Sequence, residues 1–478
     1  MRKLFKDNKI MTNRRDFVKF SVGSILATNT AIAMAAKRPA EKKKNVLFII
    51  VEDFKNIMGC YGNPLVMTPN IDRLAQRGLR FDRAYCQYPV CNPSRSSFMT
   101  GLRVDTVGIY ENVTPWTKNI GHVMTLPRLF KENGYHTIRM NKVFHGTGVH
   151  DDPEAWSEMY DMGTNKLGRT GQTRNLTNGV VPWCSWLAAN GTDEDQQDGV
   201  ITSKAIELLK QKREKPFFIA LGLAKPHDPF NAPRKYFDMY NLDELMPPVL
   251  PENRYPEQQY TIQSGWKKSF DKFSLQDKRE YLRAYYACTT FVDAQIGRIM
   301  DTLDKQDLWK DTVVLFIGDH GYNLGEHDWW NKNVLFEDSC RIPMIAVIEG
   351  ETKPATSCGE LVELIDLFQT FADLCGFKAP QNLEGLSFRP LLSNPYQTWK
   401  KAAFTQVRRG GALDGVSIRT KRWRYIEWQR KGKVLARELY DHASDPGEYR
   451  NLAELKEFTG ICSELSTLLK NGQNKLEL

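Results

Sequence analysis

The chain has no C-x-x-C pair among its nine cysteines, at positions 60, 86, 91, 184, 288, 340, 358, 375 and 462, and their spacing is irregular. That absence excludes a zinc ribbon and a dense disulfide framework, and most of these thiols are expected to be buried apolar fillers. Excess charge is also small. The formal net charge is +9, but residues 1–36 hold seven Lys/Arg and two Asp/Glu, which leaves 59 bases against 55 acids beyond them. So slight an excess gives no footprint for nucleic acid. There is no internal repeat, no low-complexity tract and no apolar run long enough to span a bilayer. What remains is an ordinary globular composition, 41% hydrophobic over 478 residues, enough for one large α/β domain and a smaller one.

An address is legible at the N-terminus. Thr12-Asn13-Arg14-Arg15-Asp16-Phe17-Val18-Lys19 precedes a weakly apolar stretch, Phe20 to Ala36, which closes on small residues at Ala31-Ile32-Ala33 and Ala33-Met34-Ala35. It resembles a twin-arginine export signal. Ser24, Thr28, Asn29 and Thr30 make the stretch too polar for a stable membrane anchor, and no cysteine stands at the cleavage region to carry a lipid. The expectation is a signal over 1–36, handled by the twin-arginine export machinery, and a periplasmic or secreted protein.

Beyond it, short apolar strands alternate with helices, the pattern of a mostly parallel sheet covered by helices. Asn45–Val51, Tyr135–Met140, Lys215–Leu223 and Thr312–Ile317 read as strands buried on both faces. Helices are expected from Pro69, capped by Thr68 and ended by Gly78, and over Leu126–Asn133, Asp198–Lys212, Ala284–Lys305 and Val362–Cys375. From about Asn394 the texture becomes short, charged, alternating strands with a helix near Ile461–Leu469, which predicts a small α+β subdomain over 394–478 after a catalytic domain over 37–393. Residues 151–197 and 231–275 read as long loops.

Polar residues stand just past all four strands: Glu52-Asp53, Lys142 with His145, Lys225 with His227, and Asp319-His320. Ligands of open α/β sheets bind outside the carboxyl ends of the strands. One such histidine is usually structural, whereas four such sites on one sheet edge point to an active site.

Cys91-Asn92-Pro93-Ser94-Arg95 opens a segment that reads as helical, which puts Cys91 where backbone N–H groups favour an anion. The stretch Cys91–Gly101 (CNPSRSSFMTG) resembles the signature of sulfatases in which the cysteine is oxidised to formylglycine. The resemblance runs from Asn45 to Leu452 and is nearest to the iduronate-2-sulfatase-like branch. It includes Lys142-Val143-Phe144-His145, Lys225-Pro226-His227-Asp228-Pro229-Phe230, Asp319-His320-Gly321, Ser417-Ile418-Arg419-Thr420 and Glu438-Leu439-Tyr440-Asp441.

The resemblance implies an alkaline-phosphatase-like α/β fold and hydrolysis of sulfate esters on a carbohydrate, a 2-O-sulfated uronic acid among the candidates. It implies one calcium ion on Glu52, Asp53, Asp319, His320 and the formylglycine at Cys91, and a formylglycine-generating enzyme for maturation. Arg95 and Lys142 would hold the aldehyde hydrate, one hydroxyl of which attacks sulfur, and His145 would deprotonate the other to expel sulfate. His227 and Lys332 would grip the sulfate, with His227 the acid for the leaving oxygen.

Three positions depart from the family pattern: Glu52 where an aspartate is usual, Asn92 where a small residue is usual, and Leu102 in place of a common arginine. Two other readings share some features. A phosphodiesterase or phosphonate hydrolase of the same superfamily needs a similar anion site, and a non-catalytic sulfated-glycan-binding protein would explain Glu52. The small domain also offers Arg408, Arg409, Arg419, Arg422 and Arg424 as residues that could meet an acidic sugar.

Overall fold

A computed structural model describes residues 43–472 apart from 121, 253, 255–259 and 263, so the segment resembling an export signal lies outside the described residues. The eight strands of the main sheet run in the order Thr356–Glu363, Leu79–Tyr85, Arg341–Val347, Thr312–Gly318, Asn45–Val51, Phe217–Leu223, His136–Met140, Glu158–Tyr160. Only Arg341–Val347 runs antiparallel to its neighbours, and the other pairings are parallel.

The four strands legible in the sequence are four adjacent strands of this sheet. Their apolar runs have helices on both sides, and Val46 to Val51 and Phe218 to Leu221 are essentially inaccessible. Because the four are parallel, their carboxyl ends fall on one edge, side by side.

The remaining strands lack that signature. Leu79–Tyr85 leaves Arg80, Asp82 and Arg83 partly exposed, Arg341–Val347 contains a proline, and Thr356–Glu363 contains Gly359 and Glu360. Val362, expected at a helix start, ends a strand, and the helix begins at Asp366. The segments expected as long loops contain a second sheet of Gly171–Asn175, Ser185–Ala189 and Phe230–Pro233. Its first strand is too polar and exposed to show an apolar alternation.

The longest helix, Leu275–Lys305, starts earlier than Ala284 because Ser274 and Asp277 form a capping box. It also caps a neighbour. Thr68 makes no side-chain cap on the helix Pro69–Arg77; the carboxylate of Asp293 instead accepts from the backbone N–H groups of Asn70 and Ile71 at 3.0 and 2.7 Å. Asp293→Ala removes this cap and is expected to cost about 1–2 kcal/mol, seen as a lower thermal midpoint with sulfate release at 25 °C retained.

The C-terminal part is an antiparallel meander of Ala403–Arg409, Leu413–Arg419, Trp423–Arg430 and Lys433–Asp441, followed by the helix Thr459–Gly472. One face, with Ile418, Tyr425 and Leu439, packs on Leu465 and Leu469 of that helix. The other, with Val407, Ile426 and Trp428, joins a cluster containing Tyr285, Trp330 and Phe336 from the main body. Residues of this C-terminal sheet are thereby fixed against the main body.

Candidate active site

Cys91 is the first residue of the helix Cys91–Thr100, and it is wholly buried. Its sulfur lies 3.1 Å from Glu52 Oε1, 3.5 Å from His320 Nε2 and 3.4 Å from Lys332 Nζ. No disulfide is present among the described residues. Burial raises the thiols of Cys60, Cys184, Cys288 and Cys340 to about 12 and that of Cys86 well above the ordinary range. Burial opposes ionisation of Cys91 too, yet Lys142 and Lys332, with contacts from His145 and His227, bring it well below that range. One cysteine is thus activated amid inert ones.

Each strand exit delivers its group. Asp53 takes a left-handed backbone conformation, φ 54°, just after Asn45–Val51, held by a hydrogen bond from its N–H to Asp319 Oδ1 at 2.9 Å and by the Tyr285 hydroxyl donating to its carbonyl. Left-handed backbone at a non-glycine residue is sustained only where surrounding bonds fix it. Glu52, the departure from the family pattern, still reaches the centre: its Oε1 pairs with Lys142 Nζ and lies 3.7 Å from His227 Nε2.

Lys332 Nζ is 2.5 Å from Asp53 Oδ1, and His320 Nε2 is 3.2 Å from the same oxygen. Burial works against charge on His227, but the Asp53 and Glu52 carboxylates beside it raise its imidazole to about 10. The loop carrying it is tied down by Asp198, whose carboxylate accepts from Ala224 and Lys225 N–H at 2.8 Å each.

Arg95 fastens the nucleophile helix to two strand exits. Its Nε pairs with Asp319 Oδ2 at 2.9 Å, and its Nη1 donates to the carbonyls of Lys142 and Val143 at 2.7 and 2.9 Å. Asn92 fixes the same helix to the neighbouring loop by donating to the carbonyls of Glu111 and Thr114. Leu102, buried, belongs to the core.

The donor set fits a divalent cation. Glu52, Asp53, Cys91 and His227 bring ligand atoms within 4.8 Å of one another, as do Cys91, Asp319 and His320. Asp53 Oδ2 is buried with no hydrogen-bond partner among the described residues, a state that costs about 1–3 kcal/mol or more for a carboxylate and that a bound cation relieves. Arg95 Nη2 and His145 Nδ1 are likewise buried without a partner among the described residues.

Residues 44–377 match the family model described as Sulfatase. The chain belongs to the sulfatase family, and it is a sulfuric ester hydrolase. This sulfatase also matches, over residues 325–475, the model described as N-sulphoglucosamine sulphohydrolase, C-terminal. It is 30% identical to human iduronate 2-sulfatase over 90% of this chain and 95% of that one.

Among solved structures, a 2-O GAG sulfatase superposes with TM-score 0.70 at 22% identity, covering 90% of this chain and 92% of that one. The phosphonate monoester hydrolase of Agrobacterium radiobacter gives TM-score 0.74 at 20% identity, covering 90% and 95%. The fold is alkaline-phosphatase-like, as the resemblance implied.

All the residues singled out from the sequence of this sulfatase, Glu52, Asp53, Cys91, Arg95, Lys142, His145, His227, Asp319, His320 and Lys332, lie at the one sheet edge. The arginines of the C-terminal sheet divide. Arg419 and Arg424 are buried in pairs with Glu337 and Glu448, while Arg422 pairs with Asp441 at the surface, so the charge of all three is already matched. Asp228, part of the same motif as His227, lies 3.5 Å from His227 Nδ1 and lines two cavities, one of which His227 also lines. Tyr285, which holds Asp53, carries no sequence signal, since it sits within a long helix among several tyrosines.

Proposed function

We propose that this sulfatase releases inorganic sulfate from a sulfated carbohydrate, with Cys91 converted to formylglycine and one calcium ion held by Glu52, Asp53, Asp319, His320 and the residue at 91. The observation that carries this is the placement of Cys91, the first residue of its helix, with its sulfur 3.1 Å from Glu52, 3.5 Å from His320 and 3.4 Å from Lys332. A hydrated aldehyde would supply the nucleophilic oxygen, and the cation would supply positive charge against the ester oxygens.

The chain's own residues do the rest. Lys332 and His227 are placed to hold an anionic ester over position 91, and His227 is the group that would pass a proton to the departing sugar oxygen. Arg95 and Lys142 keep positive charge beside the nucleophile, which favours its ionised form. His145, with Nδ1 unpaired, is the proton acceptor for the second half of the reaction.

The similarity to an iduronate 2-sulfatase and to a 2-O GAG sulfatase supports a 2-O-sulfated uronic acid within a glycosaminoglycan-like chain. The same reading has residues 1–36 directing the folded protein through the twin-arginine machinery to the periplasm or beyond. No helix among the described residues is long and apolar enough to cross a membrane.

Protein produced with a formylglycine-generating enzyme is tested against sulfated oligosaccharides and a phosphonate monoester, with sulfate measured by ion chromatography. Sulfate release that falls about tenfold or more on chelation and returns with calcium is expected. Turnover of the phosphonate alone would favour the phosphonate-hydrolase reading, and binding of sulfated glycan without release would favour the non-catalytic one.

A further inference from the structure

A cavity of about 660 Å³ opens beside the reaction centre, lined by Lys332 and Asp228 together with Arg408 and Arg409. The two arginines follow each other on the strand Ala403–Arg409 but differ in their partners. Arg408 is neutralised by a two-point pair with Asp414 at 2.6 and 3.1 Å and lies over the Tyr110 ring.

Arg409 has no carboxylate partner among the described residues. Its guanidinium donates to Asn333 Oδ1 and the Asn333 carbonyl at 3.1 and 2.6 Å, and to the Thr261 and Tyr260 carbonyls at 3.2 and 3.5 Å. Its hydrogen bonds go only to neutral acceptors; the Trp428 ring lies 5.6 Å from the guanidinium and the Glu438 carboxylate acts on it without pairing, and burial still lowers it to about 10. An anion on the cavity side would offset that burial with a charge-assisted bond.

The other walls suit a sugar. Trp183 and Trp266, from the two segments first read as loops, meet edge to face at 5.0 Å on the cavity, and Trp266 is exposed. Amphipathic rings of this kind cover the apolar face of a pyranose while its hydroxyls remain available to Asn112 and Asn331 nearby. Asn333, which accepts from Arg409, directly follows Lys332, so Lys332 and Arg409 are joined through one backbone link.

We propose that Arg409 binds a second anionic group of the substrate, a carboxylate or a further sulfate, carried by the sugar unit whose ester lies against Lys332 or by its immediate neighbour. The proposal rests on the carbohydrate-sulfatase reading for the identity of the ligand, but it can be measured without turnover. Equilibrium binding uses the full chain with Cys91→Ala and calcium, so that a failure of maturation or catalysis leaves the measurement intact.

Four probes separate the cases: a 2-sulfated uronate disaccharide, its carboxyl-reduced counterpart, a neutral disulfated disaccharide, and a neutral monosulfated one. With Arg409 present, at least one doubly anionic probe is expected to bind about 10- to 100-fold tighter than its singly anionic counterpart. Preference for the uronate assigns a carboxylate, and preference for the neutral disulfated sugar assigns a second sulfate. Arg409→Gln should collapse that ratio toward one. Arg409→Lys, which keeps the charge but not the planar fork, should retain part of it. Equal affinity for all four probes with Arg409 intact would overturn the proposal, as would an equal loss for every probe in both variants, the signature of an arginine that only positions Asn333.

Discussion

Replacing Cys91 by alanine is expected to lower sulfate release by about 10⁴-fold or more, the scale on which removal of a covalent nucleophile is felt, with little change in melting temperature. The reasoning is local. The sulfur is enclosed by Glu52, His320 and Lys332 at 3.1, 3.5 and 3.4 Å, so alanine leaves a gap of one atom in a polar site, and the surrounding charges remain paired: Lys142 with Glu52, and Lys332 with Asp53. The helix start is also unaffected, because the cap residue Val90 makes no side-chain cap bond that position 91 would have to replace. A variant that melts normally and retains a tenth of its activity would show that another group delivers the attacking oxygen.

Arg95→Met is expected to act on both stability and activity. Its guanidinium and the Asp319 carboxylate are both inaccessible to solvent, and the substitution strands that carboxylate together with the carbonyls of Lys142 and Val143. Breaking one side of a buried pair costs about 3–5 kcal/mol. The exposed pair Arg73–Asp301, at 2.8 Å with both side chains about half accessible, is the control; its loss should cost well under 1 kcal/mol. Activity should fall further than stability explains, because Arg95 ties the nucleophile helix to the exits carrying Asp319 and Lys142. Arg95→Lys keeps the charge but cannot span both exits, so it should melt closer to the parent while staying impaired in kcat. Denaturation midpoints and steady-state rates on the same preparations separate the two effects.

The catalytic edge was legible because its chemistry sits where elementary rules put it. Four strands of unbroken apolar residues are buried on both faces, and each is followed by groups that a core would reject, such as Glu52-Asp53 and Asp319-His320. The outer half of the sheet was not legible. Leu79–Tyr85 mixes Arg80, Asp82 and Arg83 with apolar residues, and its place is set by its pairing with Arg341–Val347 and Thr356–Glu363, a long-range choice that no local pattern records.

Trp183 and Trp266 illustrate the same limit within the site. Each lies in a stretch rich in turn residues: Trp183 stands just before the strand Ser185–Ala189 and Trp266 on the short helix Ser264–Phe270, and their packing on one another at the cavity is a long-range contact. The five arginines of the C-terminal sheet looked alike in sequence. Their partners distinguish them: Arg424 is entirely enclosed by Glu337 and Glu448, Arg408 is matched by Asp414, and Arg409 is bonded only to neutral acceptors.

The central claim, that an oxidised Cys91 is the working group, is tested most directly by peptide mass spectrometry of the Cys91 segment on the same preparation assayed for sulfate release. The account predicts that activity tracks the fraction of chains with an aldehyde at position 91 and vanishes where the thiol is intact. Full sulfate release from protein in which Cys91 remains a thiol would contradict it.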